Sequence, residues 1–159
     1  MTSGLEWVLL AYRLPREPST PRIAVWRKLR RLGVAQLLDG LVALPADART
    51  KEQLEWVADE VIEIGGQATV WIARTATAAD ERRLAAEMAE AVANDYRAVI
   101  DEAAQLASTG GTSARTLGRL RRQLERIDRR SFFPPPERNH ARAAVRQLVA
   151  EKAKEGAAR

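Results

Sequence analysis

The chain has no cysteine and a single histidine, His140. The first absence removes disulfide frameworks, thiolate nucleophiles and thiolate metal sites. The second removes the familiar histidine chemistry, because a zinc centre needs three or four ligands and a triad needs an oriented base. His140 stands beside Asn139 without a partner motif and reads as a surface residue. Long apolar runs are also missing. The stretch Trp7 to Tyr12 is far too short to span a bilayer. No basic stretch followed by an apolar run marks a signal peptide. The glycine pairs Gly65-Gly66 and Gly110-Gly111 lack the spacing of a phosphate loop, and no dinucleotide fingerprint is present. Redox chemistry therefore has no visible electron carrier. The expectation is a cytoplasmic, non-enzymatic protein without membrane partner, metal, cofactor or catalytic residue.

Charge is plentiful and uneven. The net charge is +5, but residues 1–111 sum to −3 and residues 112–159 to +8. Such asymmetry points to a polyanionic partner for the C-terminal third, most often nucleic acid. The plainer explanation is a helix that uses arginine for its solvated face.

The first half reads as strand, helix, hairpin, helix, strand. Leu5 to Tyr12 has almost no polar relief, as expected of a central strand buried on both faces. Ser19-Thr20-Pro21 supplies a hydroxyl cap and a first-turn proline for a helix that closes at Gly33. Val25, Leu29 and Leu32 share its inner face, with Trp26 on the flank. Asp39-Gly40 between apolar runs predicts a hairpin over residues 36–44. Thr50 and Gln53 fit a capping box for a second helix to Ile64, with Leu54, Val57, Val61 and Ile64 as its buried stripe. Glu52, Glu55, Asp59 and Glu63 form an acidic stripe on that helix, and four such carboxylates usually face water rather than hold a cation. Gln67 to Arg74 is the last strand. This order predicts an α+β fold, a ferredoxin-like βαββαβ sandwich over residues 1–75. One sheet face would be left bare, to be covered by the C-terminal helices or by a second copy.

Residues 76–159 read as a helical extension packing on that domain. Helices are expected from Thr77 to about Ala107, from Ser113 to Arg129, and from Arg138 to Lys154. Ser108 to Gly111 separates the first two, and Phe132-Phe133-Pro134-Pro135-Pro136 the last two.

Two basic clusters are candidate DNA- or anion-binding sites. Arg115, Arg119, Arg122 and Arg126 are spaced 4, 3 and 4 apart and so stack on one helical face. Leu117, Leu120, Leu124 and Ile127 take the opposite face. A helix docked by its leucines would present a row of guanidinium forks, which match phosphate oxygens. The second cluster is Arg22, Arg27, Lys28 and Arg31 on the first helix, with Arg13, Arg16 and Arg30 nearby. The four tryptophans Trp7, Trp26, Trp56 and Trp71 suit either a stacking platform or core and interface packing. Packing is the favoured reading because large aromatics dominate cores by area.

The order and spacing of several short motifs resemble the N-terminal domain of the chromate-resistance regulator family ChrB. They are Trp7 through Pro15, Pro18-Ser19, Arg22 through Trp26-Arg27-Lys28-Leu29, Gly33, Leu44-Pro45, Gly65-Gly66-Gln67-Ala68 and Asn94-Asp95-Tyr96. The segment Leu120 to Phe133 is similar to that family's downstream helix, with Arg129-Arg130-Ser131-Phe132 in place of an Arg-Asp-x-Phe-like element. The resemblance implies a cytoplasmic, chromate-responsive transcriptional regulator with duplex DNA as partner, expected to be a homodimer. Longer members carry a further C-terminal domain. An oxyanion sensor for chromate or sulfate and a plain protein-interaction module are the alternatives, and a chromate reductase ranks last. A weaker similarity to the C-terminal domain of the phenylacetate-pathway repressor family and to small CRISPR-associated nucleases with a ferredoxin-like fold also exists. Those nucleases place a metal-binding aspartate after the first strand. Here Tyr12-Arg13-Leu14 stands there, and an arginine repels a divalent cation.

Overall fold

A computed structural model describes residues 4–158. The element order is β1 (Trp7–Arg13), α1 (Ser19–Leu32), β2 (Ala35–Leu38), β3 (Leu41–Pro45), α2 (Ala48–Glu63), β4 (Gln67–Ala73), α3 (Ala78–Thr109), α4 (Ala114–Arg129) and α5 (Glu137–Ala157). The four strands form one antiparallel sheet in the order β2-β3-β1-β4. The α+β expectation holds, with a helical C-terminal region. Two compact units divide the chain, residues 1–88 and 89–159, and the division falls inside α3.

In the first unit, β1 is central as its apolar run requires. Val8 pairs with Leu44 and Ile72, and Leu10 with Val42 and Val70. Directly paired residues share a sheet face, so these six side chains lie together. Val8, Leu10 and Leu44 are completely buried on that face, where Val25 and Leu29 of α1 and Leu54, Val57 and Val61 of α2 supply matching buried stripes. The opposite face was expected to be bare. It is not bare at its Trp7 end: Trp7 and Ala43 are buried, whereas Trp71, paired with Leu9, stays exposed. Leu84 and Met88 in the early turns of α3 are buried within the same unit.

Three local expectations are corrected. The cap of α2 is Asp47 rather than Thr50. Its carboxylate accepts from the Thr50 N–H at 2.7 Å, and Thr50 Oγ1 accepts from the Asp47 N–H at 2.9 Å. Thr50 is fully buried and also donates to the Pro45 carbonyl at 2.7 Å, so an inward-facing threonine completes the box instead of opening it. At α1, Pro18 occupies the cap position with no side-chain hydrogen bond, and Ser19 is already helical. Core packing holds for only one tryptophan of four: Trp26, Trp56 and Trp71 are 45%, 65% and 57% exposed. Trp26 and Trp56 each sit one residue beside a buried valine, about 100° around the helix from it. Trp71 lies on β4, an edge strand with one neighbour.

The hairpin turn depends on Gly40. Its φ is +76°, and a Cβ there would come within 2.4 Å of the Tyr12 carbonyl oxygen. The close approach lets the Tyr12 N–H donate to the Gly40 carbonyl at 2.8 Å, which ties the end of β1 to the turn.

The second unit is built on the remainder of α3, α4 and α5. Tyr96, Val99 and Ala103 are buried with Leu117, Leu120, Leu124 and Ile127 of α4 and Ala141, Val145 and Leu148 of α5. Serine 113 caps α4 by accepting from the Thr116 N–H at 3.0 Å. His140 is exposed, as expected.

Candidate functional site

Helix α4 divides cleanly into two faces. Its four apolar residues are buried, and at 100° per residue their centre lies opposite Arg115, Arg119, Arg122 and Arg126. All four arginines are exposed. Arg119 is held by an ion pair with Glu102 of α3. Arg115, Arg122 and Arg126 form no ion pair among the described residues. Arg129 continues the same face, exposed and equally unpaired, and completes a 4-3-4-3 spacing. It belongs to the ladder beside the four arginines that the spacing predicts. Its signal is one more step of three. Over Arg115 to Arg129 the row spans about 21 Å at the helical rise.

The edge of this helix that faces the unit's interior is tied down by charge. Asp128 accepts from the Tyr96 hydroxyl at 2.6 Å and from Arg142 Nη2 at 2.8 Å, with Arg138 at 3.6 Å. Arg130 donates to Asp95 at 2.6 Å. Arg97 bridges Asn94, Glu90 and Glu137 at 2.8–2.9 Å. Within the triplet Asn94-Asp95-Tyr96, Tyr96 and Asp95 thus tie α3 to Asp128 of α4 and to Arg130 at its end, while Asn94 bonds Arg97 on its own helix. Burial and the hydrogen bond to Asp128 raise the Tyr96 phenol above its ordinary range, with Ser131 opposing, so it stays a neutral donor. Glu137 is held below the usual carboxylate range, first by the backbone N–H at the start of α5 and then by Arg97.

In the first unit, the four basic residues singled out on α1 do not form one patch. Arg27 and Arg31 are exposed on the outer face and carry no ion pair among the described residues. Lys28 lies on the flank toward α2 and is bonded to Glu60. Arg22 lies on the other flank and lines a cleft.

That cleft, of about 610 Å³, opens between the end of β1, the first half of α1 and the β2–β3 hairpin. Tyr12 and Gln36 reach it from the sheet face that carries the helices, Arg22, Ile23 and Trp26 from α1, and Asp39 from the turn. Arg13 also lines it and donates weakly to Gln67 at 3.4 Å. Burial and the nearby Asp39 raise the Tyr12 phenol, while Arg22 opposes them. Arg30, which does not line the cleft, stacks on the Trp26 ring at 4.8 Å. Ile23 and Gln36 carry no sequence signal of a site, and only the fold brings the residues of this cleft together.

Among the described residues no group of three or more metal-ligating side chains occurs, and no helix is long and apolar enough to cross a membrane. The sequence model of a family described as Protein ChrB, N-terminal, matches residues 22–109. That stretch begins inside α1 and ends with α3, so β1 and the arginine ladder lie outside it. A curated relative, Protein ChrB of Cupriavidus metallidurans, is 29% identical over 101 residues, which cover 64% of this chain and 28% of that protein. The chain therefore corresponds to well under half the length of that relative. No solved structure matches the chain.

Proposed function

Because this chain belongs to the family of the ChrB N-terminal domain, we propose that it is a DNA-associated regulator of a chromate-resistance system, meeting the duplex backbone through the outer face of α4. The observation that carries the reading is the division of that helix. Four leucine-type side chains are buried, and Arg115, Arg122, Arg126 and Arg129 are left exposed without carboxylate partners among the described residues. A row of free guanidinium groups gains little from water and much from phosphate oxygens, which accept their paired N–H donors. The contact is to backbone rather than to base edges, so it positions the protein and carries little sequence information. Arg119, already paired with Glu102, contributes less. The reading includes a homodimer in the cytoplasm and no catalytic step.

A mobility-shift titration of the full chain on duplex DNA across a salt series tests it. Neutralising about four phosphates makes affinity fall roughly 100-fold between 50 and 200 mM salt. Absence of any retardation at the lowest salt would sink the proposal.

A further inference from the structure

The cleft beside α1 is far larger than a simple inorganic anion. Its volume of about 610 Å³ falls in the range of pockets that take organic ligands, about 300–1,000 Å³. A tetrahedral oxyanion occupies only a few water volumes of about 30 Å³ each, and would leave the apolar wall wet. That wall is apolar: Ile23 and Trp26, one turn apart by the i, i+3 relation, are each nearly half exposed and both line the cleft. Arg30 stacks on the Trp26 ring but does not itself line the cleft.

The polar groups of the cleft are asymmetric. Arg13 and Arg22 form no ion pair among the described residues, and Asp39 is the single carboxylate, so one positive charge is left over. Helix α1 adds its N-terminus. Its cap is Pro18, which offers no side-chain acceptor, and Ser19 lines the cleft. The N-terminal end of α1, where the helix dipole is positive, therefore borders the cleft beside the arginines. Tyr12 and Gln36 provide a hydroxyl and an amide on the floor.

We propose that this cleft binds a small ring-bearing anion, its ring against Ile23 and Trp26 and its anionic group on Arg22 and Arg13. Asp39 and Gln36 accept hydrogen bonds from a polar edge of the ring. The anionic group is a phosphate or a carboxylate, since guanidinium forks suit both. The site lies in the other unit from the arginine ladder and stands whether or not α4 meets DNA.

Isothermal titration of the full chain with adenosine 5′-monophosphate, 4-hydroxybenzoate and inorganic phosphate tests the assignment. At least one ring-bearing anion is expected to bind ten-fold or more tightly than inorganic phosphate. Binding of the nucleotide alone identifies a phosphate-bearing ligand, and of the benzoate alone a carboxylate. Arg22→Ala and Trp26→Ala each weaken that binding roughly ten-fold, the loss of one charge-assisted bond or one stacking face. Both side chains are exposed, and circular dichroism verifies that the variants remain folded. Arg146→Ala on α5, exposed and outside both the cleft and the arginine row, leaves the binding unchanged. Three results overturn the proposal: no binding by either ring-bearing anion, equal binding of inorganic phosphate, or binding that survives both cleft substitutions.

Discussion

At the scale of single residues, a few side chains hold much of the local order. Asp47 fixes the start of α2 through Thr50. The Thr50 N–H, donating to its carboxylate, is the largest influence holding Asp47 below the usual carboxylate range. A depressed folded-state value means the cap stabilises above the unfolded pKa of about 4, and that contribution disappears as pH falls through the folded value. Asp47→Asn, which keeps an acceptor but no charge, should show a smaller loss of urea midpoint between pH 7 and pH 3 than the parent. Asp47→Ala should cost about 1 kcal/mol at neutral pH in the same assay. Tyr96 presents a different case, a phenol buried against a charged acceptor. Tyr96→Phe removes the donor but leaves Asp128 its two arginines, so about 1–2 kcal/mol is expected from chemical denaturation. Gly40→Ala meets both a positive φ and the Tyr12 carbonyl. Its cost should exceed the roughly 1 kcal/mol of an ordinary glycine replacement, with a lowered thermal midpoint.

Single elements show how the same residue type comes to different uses. On α4 the arginines lie opposite the buried stripe, where Arg119 meets Glu102 and Arg115, Arg122, Arg126 and Arg129 form no ion pair among the described residues; on α1 the position around the helix decides. Lys28 meets an acidic neighbour, Arg22 meets a cleft, Arg30 stacks on Trp26, and Arg27 and Arg31 face outward. Replacing Arg122 and Arg126 by alanine should weaken duplex DNA binding alike on unrelated sequences and flatten the salt slope by about one unit each. Thermal midpoints of those variants should stay near the parent, because neither residue is paired or buried. Leu120→Ala should do the reverse. It empties a fully buried position and should cost about 2–5 kcal/mol of stability, with DNA binding lost only as the protein unfolds.

For the whole molecule, charge is distributed by sequence position: −3 over residues 1–111 and +8 over residues 112–159. The ladder and the cleft therefore sit in chemically different settings, one in a basic stretch and one in an acidic half. Raising salt should release duplex DNA while leaving cleft binding comparatively intact, because screening acts most strongly on exposed charge rows and least on contacts that also bury a ring. Parallel titrations at 50 and 300 mM salt would show whether the two affinities separate in that way.

The periodicity of the chain determined its elements. The apolar run from Trp7 to Tyr12 suits a central strand, and Leu117, Leu120, Leu124 and Ile127 suit the buried side of a helix, because that spacing removes them from water together. The exposed ladder followed from the same spacing, since burying one face of a helix exposes the other. What the spacing leaves open is which partner each polar residue meets. Asp128 with Tyr96 and Arg142, Lys28 with Glu60, and Tyr12 with Arg22 and Asp39 in one cleft all join residues distant along the chain. Those encounters are set by how strands pair and helices pack, and only the tertiary structure decided them.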